Sequence, residues 1–247
     1  MRILSVHRYP VKSMQGERPG WVEVATGGVV GDRCFGVLDT STGRVLSAKE
    51  EPRLLHAFAR TVDGAVAVAL PNGERGDDAS LSAWLGRPVV LQEADRSARG
   101  TFQARCDHLD DGSEPVEWSG PEGSFHDDAP VHLLTIASLR AMAAVAPAQQ
   151  WELRRFRPNL VVEVDDDGFV EDGWIDGRLR VGEVVLEPFK ATSRCSMIGR
   201  SQPAGVAADR DVIRAVRDHH GFNLGVHARV VVGGRIEVGA RVERDEG

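Results

Sequence analysis

Cys195 is the residue whose type and setting could do the most chemistry. It closes the run Ala191-Thr192-Ser193-Arg194-Cys195, and a polar, glycine-bearing stretch follows, Ile198-Gly-Arg-Ser-Gln-Pro203. A thiol at a strand end beside a fixed cation is the setting in which thiolate chemistry occurs. Thiolate is the soft ligand of copper, zinc and iron–sulfur centres, and by the same logic of molybdenum. Upstream, Arg157-Pro158-Asn159 offers a guanidinium and a carboxamide, and Tyr9-Pro10-Val11-Lys12-Ser13 offers an ammonium. Arginine forks match phosphate bidentately. The set suits a soft metal ion together with an anionic group. The plain alternative for Cys195 is a small core residue, the commoner fate of a free cysteine.

Each other candidate also has a plain reading. Pro158 biases Arg157 towards extended backbone, which would put the Arg157 and Asn159 side chains on one side. There they could together grip a phosphate; otherwise the segment is a surface turn entering a strand. Lys12 and Ser13 could be a solvated strand end, and Arg33 could pair with Asp32 or Asp39. His219 and His220 follow a helix and should meet its terminal carbonyls. His126-Asp127-Asp128 are consecutive and should not converge on one point, so no zinc or calcium is assigned. Cys34 reads as strand core, and Cys106 lies in a polar region.

The elements that must position these residues are mostly strands. Val22–Val24, Phe35–Leu38, Val45–Ser47 and Val66–Leu70 alternate or run β-branched, with Gly27-Gly28, Ser41-Thr-Gly43, Asp63-Gly64 and Pro71-Asn-Gly73 between them. Short strands at this spacing predict a barrel or sandwich. A short helix is expected over Leu81–Leu85 with Ser80 as N-cap, another over Leu139–Val145 after Ser138, and a third over Asp211–His219. Residues 96–128 are polar and rich in Gly, Asp and Ser, and are expected to be a domain boundary or loop. Strands return over Leu160–Val164, Leu179–Val181 and Val184–Leu186. Ala228–Val232, Gly233-Gly234 and Arg235–Val238 read as a hairpin with a two-glycine turn. The expectation is two mainly β domains, residues 1–95 and 96–247, with a few helices.

A net charge of −7 leaves no general footprint for nucleic acid. No apolar run reaches the roughly 20 residues needed to span a bilayer, so no membrane partner is expected. The N-terminus reads as a strand, with no cleavage site after it. Three widely spaced cysteines, without a CxxC pair, argue against a disulfide scaffold or structural zinc and for a reducing cytoplasm.

Taken in order, several segments resemble the MOSC superfamily. They are Tyr9-Pro-Val-Lys-Ser13, Gly31-Asp-Arg33, Glu51-Pro-Arg-Leu54, Ala129-Pro-Val-His-Leu-Leu134, Phe156-Arg-Pro-Asn159, Glu171-Asp-Gly-Trp174, Ser193-Arg-Cys195 and Gly234-Arg-Ile-Glu-Val-Gly239. The chain is most similar to members with an N-terminal MOSC β-barrel domain, such as the mitochondrial amidoxime-reducing component and its bacterial relatives.

The resemblance implies a β-rich α+β fold of two barrel-like domains and a molybdenum–molybdopterin cofactor. It implies Cys195 as metal ligand and catalytic residue. Lys12, Ser13 and Arg33 would reach the cofactor from the N-terminal barrel, and Arg157, Asn159, Ser193 and Arg194 from the C-terminal one. Asp128 and Ala129, ahead of Pro130, would make backbone contacts, and His227 stands where the eukaryotic member has a tyrosine. The implied reaction is reductive removal of oxygen from small N-hydroxylated molecules. Electrons would come from separate proteins, a flavin reductase with a ferredoxin or cytochrome b5 type carrier, because no ferredoxin tail or membrane anchor is seen. Two alternatives use the same residues: sulfur transfer or C–S cleavage through a Cys195 persulfide, and a non-enzymatic molybdopterin carrier. The chain departs from many relatives at Met197-Ile198-Gly199, where they carry a pair of threonines, which alters the pocket wall.

Overall fold

The computed structural model describes residues 1–95, 99–105 and 114–245. Its largest sheet has seven strands, in the order Arg2–Val6, Leu160–Glu163, Val131–Thr135, Asn223–Val232, Val184–Ser193, Arg178–Val181 and Val242–Asp245. The two edge strands come from the chain's two ends, and they meet. Ile3 N–H donates to Ala240 O at 2.9 Å, Gly239 N–H to Ile3 O at 2.8 Å, and Val242 N–H to Met1 O at 3.0 Å. The sheet is thereby nearly closed into a barrel, which removes the exposed edges of an open sheet.

Central position explains the texture of the strands. Val131–Thr135 lies between a parallel and an antiparallel neighbour and is buried at all five positions. A strand covered on both faces is expected to be continuously apolar. Trp21–Ala25 instead alternates, with Val22 and Val24 buried and Trp21, Glu23 and Ala25 exposed, the period of two of a half-covered strand. Around the barrel axis pack Val22, Leu133, Val162, Trp174, Leu186 and Val226.

The N-terminal unit is built from smaller sheets. Phe35–Asp39 pairs with Arg44–Val45 and Val89–Glu93, Phe58–Val62 pairs with Ala65–Ala69, and helix α1 (Asp78–Leu85) covers them. Val11, Met14, Val37, Leu54 and Leu81 form its core. Helices α2 (Ile136–Val145) and α3 (Asp211–His220) form a third cluster with the turn after Cys195, through Leu139, Met142, Phe156, Ile198, Val212 and Val216.

Several expectations are corrected here. The last segment is not a hairpin: Gly234–Glu237 pairs with Trp21–Ala25 across the chain, Gly234 opposite Val24, so the glycines turn the chain onto an N-terminal strand. Ser80 is not the first cap of α1. Asp77 accepts from Ser80 N–H at 2.9 Å and Ser80 Oγ accepts from Asp77 N–H, a reciprocal capping box. α2 begins three residues earlier than expected, capped by Thr135 rather than Ser138. The polar region holds a strand pair, Arg99–Arg105 with Pro115–Glu122. Cys34 lies just before its strand, half-buried rather than in the core. Cys106 falls outside the described residues.

Candidate functional site

Asp32 is the hub of the junction between the two units. Its carboxylate is buried and accepts from Tyr9 N–H at 2.6 Å, from Arg33 Nη1, from Asn159 Nδ2 at 3.0 Å and from His126 Nε2 at 3.0 Å. Burial alone would raise its pKa; the Arg33 guanidinium, His126 and the Tyr9 amide outweigh that and hold it below the ordinary carboxylate range. Tyr9 is enclosed between units as well. Its hydroxyl donates to Pro158 O at 3.2 Å, and the Arg33 and Arg157 guanidinium carbons lie 4.7 and 4.2 Å from its ring centre. Burial pushes its phenol up to about 12, against the pull of those two cations.

Arg157 is held in a left-handed backbone conformation, φ 54°, rather than the extended one its following proline favours. The side-by-side display of Arg157 and Asn159 expected from an extended segment is therefore not formed. The strain is upheld by contacts: Arg157 O accepts from Arg33 Nη2 at 3.4 Å, and Arg157 Nη1 donates to Met14 O at 2.6 Å. Ser13 and Arg33 are also left-handed, at φ 68° and 49°. Among the described residues, three of the seven non-glycine residues with positive φ are thus expected cofactor contacts, and such strain collects at functional sites. Arg157 Nη2 is buried and has no hydrogen-bond partner among the described residues. Burial, with Arg33 close by, lowers the Arg157 pKa to about 10. A desolvated guanidinium with an unmatched donor is a site that favours an anion.

Cys195 follows the strand Val184–Ser193 and opens the 3-10 turn Ser196–Gly199; its thiol is free and half-buried. Arg194 points inward beneath it, donating to Leu224 O and, at 3.1 Å, to Phe156 O. Its Nη2 also lies 2.5 Å from His132 Nε2. Because a guanidinium only donates, His132 Nε2 must accept, so its proton sits on Nδ1. Gly225, at φ 83°, leaves room for this ring; a Cβ there would fall 2.5 Å from His132 Nε2. The loop after Cys195 is fixed by Arg155, which is buried and donates to Ile198 O at 2.9 Å, Arg200 O at 3.1 Å and Ala207 O at 2.8 Å. The N-terminal unit reaches the same loop through Gln15 Nε2, 3.0 Å from Gln202 Oε1.

The segment Ser124–Asp128 lies along the junction, and its three ionisable residues take three different partners. His126 meets Asp32, Asp127 Oδ1 is 2.6 Å from Lys12 Nζ, and Asp128 Oδ2 is 2.5 Å from Lys190 Nζ and 3.4 Å from His227 Nδ1. The His227 contact and then Lys190 lower the Asp128 pKa to about 2. Among the described residues no three His, Cys, Asp or Glu side chains are grouped to hold a metal.

The structure links Arg33, Arg157, Asn159 and Arg194 into one hydrogen-bonded junction through Asp32 and His132, ties Lys12 to it through Phe125, and places Cys195 next to Arg194. The amide of Asn159 is already used, by His132 N–H at 3.1 Å, Asp32 and His7 O. Ser13 Oγ accepts from Ala48 N–H at 2.9 Å, Ser193 is exposed, and Ala129 is buried. His227 meets the Asp128–Lys190 pair and packs edge-on against His132, ring centres 5.7 Å apart. His220 reaches past its own helix, to Asn223 O and Asp172. Tyr9, Asp32, His132 and Arg155 carry the geometry without having been singled out as site residues. For Asp32, the sign was a carboxylate between two turn residues of a motif; for His132, a lone imidazole inside an apolar run.

The comparisons agree with this architecture. The MOSC N-terminal beta barrel domain matches residues 1–111 and the MOSC domain residues 121–243. The fold is similar to the YuaD protein from Bacillus subtilis, at 11% identity and TM-score 0.50, over 98% of this chain and 93% of that one. YiiM from Geobacillus stearothermophilus is more distant, at 15% identity and TM-score 0.37, over 62% of this chain and 75% of that one. No curated protein matches. Among the described residues no helix is long and apolar enough to cross a membrane. With both of its parts matched in chain order, the chain belongs to the MOSC family, in the group that carries the N-terminal MOSC β-barrel domain.

Proposed function

We propose that this protein is a molybdenum-cofactor oxidoreductase that reduces small N-hydroxylated molecules, with electrons from separate donor proteins. The observation that carries the reading is the buried, unmatched Arg157 Nη2 at a junction that also holds Lys12 and Arg33 and adjoins the free thiol of Cys195. These residues fit a pterin phosphate with a soft metal: guanidinium and ammonium groups for the anion, and one thiolate for the metal.

When bound, the cofactor supplies the redox change that removes oxygen from the N–O bond. The chain's own residues bind and orient. Arg157 Nη2, with Arg33 and Lys12, neutralises the anion, and Cys195 Sγ supplies the protein's soft donor. Arg155 and Arg194 hold the backbone on either side of that sulfur, and Met197, half-buried in the following turn, helps shape the substrate side. Family membership supports the cofactor; the reaction is inferred from the resemblance of the motifs.

Metal analysis and absorption spectroscopy of the purified protein, with an amidoxime reduction assay using a reconstituted electron-donor chain, test the reading. Stoichiometric molybdenum, a thiolate charge-transfer band and turnover are expected. Metal-free protein carrying a cyanide-labile sulfur on Cys195 would replace it with sulfur transfer.

A further inference from the structure

We propose that Gln15 is a positioning residue for the chemistry at Cys195: its side chain docks the loop after Cys195 onto the N-terminal unit, and so sets the spacing between that thiol and the Arg157 guanidinium. The inference deepens the proposed function and rests on its assignment of Cys195 and Arg157. Gln15 and Gln202 are both buried, 6% and 4% exposed. Gln15 Nε2 donates to Leu55 O at 2.9 Å and to Gln202 Oε1 at 3.0 Å. A carbonyl can only accept, so Leu55 O fixes which way round the Gln15 amide sits and leaves its second N–H for the loop. The Gln15 backbone is fixed as well: its N–H donates to Ala57 O at 2.8 Å, and its carbonyl accepts from Ala59 N–H at 2.8 Å. A rigid donor therefore crosses from one unit to the other.

The loop is attached to both units. Arg155 holds its base from the C-terminal unit, through Ile198 O and Arg200 O. From the N-terminal unit Gln15 holds Gln202, and His56 Nε2 lies 3.2 Å from Ser201 Oγ. The residue before Gln15 supplies the link to the anion side, since Met14 O accepts from Arg157 Nη1 at 2.6 Å. Met14 and Gln15 are consecutive and buried, so the Arg157 guanidinium and the Cys195 loop are gripped at adjacent positions of one segment. Slippage of the loop against that segment leaves Arg157 where it is and moves the turn that Cys195 opens. Burial makes the pair demanding, because an amide left there without its partner costs more than the bond itself contributes.

Hydrogen exchange of the full chain, followed by mass spectrometry, reads the docking without any cofactor. The amides of Arg200 and Gln202 are bonded within the loop, to Met197 O at 3.1 Å and Val206 O at 2.9 Å. In Gln15→Leu they should exchange about tenfold faster or more, the scale of one lost buried partner, while the barrel amides of Leu133 and Val162 keep their wild-type rate. Gln202→Leu should do the same from the loop side, and the double variant should exchange no faster than either single. Gln92→Leu, at an exposed strand position, should match wild type. Wild-type loop exchange in the single variants, additive effects in the double, or an equal rise in the barrel amides would each overturn the proposal. If Gln15→Leu does not fold, Gln202→Leu decides. In the loaded protein, Gln15→Leu should keep its pterin and lose most of the thiolate–metal band, whereas pterin falling in step with the band overturns the positioning role. Molybdenum-free wild type would reject the proposed function, while the exchange result stands or falls by itself.

Discussion

The Asn159 carboxamide joins the two units by donating to the Asp32 carboxylate across 3.0 Å while its oxygen accepts from His132 N–H. One side chain thus spans a loop of the N-terminal unit and two neighbouring strands of the large barrel. Its role in this geometry is to staple the junction, which places the surrounding cations.

Asp32→Ala should be among the most damaging single changes. It leaves Arg33 without its carboxylate and the donors of Tyr9 and His126 unmatched in a buried setting, and takes the shorter of its two acceptors from Asn159 Nδ2. Breaking a buried pair this way costs about 3–5 kcal/mol. Urea unfolding should show a large drop in midpoint, and a midpoint within error of wild type would refute the hub.

Cys195→Ser should fold normally and keep part of its pterin through Arg157 and Lys12, while losing the thiolate–metal absorption band and reductase activity. A hydroxyl is a harder and less acidic donor than a thiol. Cys34→Ser should retain both band and activity. Wild-type turnover in Cys195→Ser would remove the cysteine from the proposed chemistry.

Arg157→Ala should lower pterin content far more than Arg217→Ala, although each removes one positive charge. Arg217 lies on the exposed face of α3, bonded to Asp218, whereas Arg157 holds the unmatched buried donor. Loss of one charge-assisted bond to an anion weakens affinity roughly ten- to a hundredfold. Pterin fluorescence after denaturation reads the difference, and equal content in the two variants would count against the site.

Stability should fall as the pH drops from about 6.5 towards 4. Burial, aided by Arg18, lowers the His7 pKa to about 4, and burial likewise lowers those of His126, His132 and His227. Histidines with folded pKa values below the unfolded one take up protons on unfolding, so their contribution is complete above about 6.5 and is lost on acidification. Urea midpoints across this range should decline, with a shallower decline in His7→Gln. Flat midpoints from pH 7 to 4.5 would contradict the buried neutral rings.

A chain beginning near Arg96 should not form the barrel, because it lacks the edge strand Arg2–Val6, the pairing strand Trp21–Ala25 and the Asp32 hub. Circular dichroism and proteolysis of that fragment would show it. A stable fragment with full pterin occupancy would mean that the N-terminal unit is dispensable.

Much of the fold was legible because it is written in local period. The alternation of Val22 and Val24 and the i, i+1, i+4 face of Val212, Ile213 and Val216 each lie on the buried side of their elements. Partners distant in the chain were not legible. Gly233-Gly234 has every local mark of a hairpin, yet the next strand pairs with Val24, a choice made by barrel closure. In the site, Arg157 could be singled out by motif but not its left-handed backbone, which depends on Arg33 and Met14 from other segments. Arg155 was invisible because its partners are carbonyls, which carry no sequence identity.

The meeting of the two chain ends has a consequence for biosynthesis. Arg2 and Glu163 are 161 positions apart yet bonded, and the other flank of Arg2–Val6 is closed by residues 239–242, near the end of the chain. Within this sheet, the strand made first is therefore the last to be fully paired. While most of the polypeptide is being made, at about 5–20 residues per second, that strand waits with open hydrogen-bonding edges. A chain stalled before residues 239–242 are made leaves that strand with an adhesive open β edge.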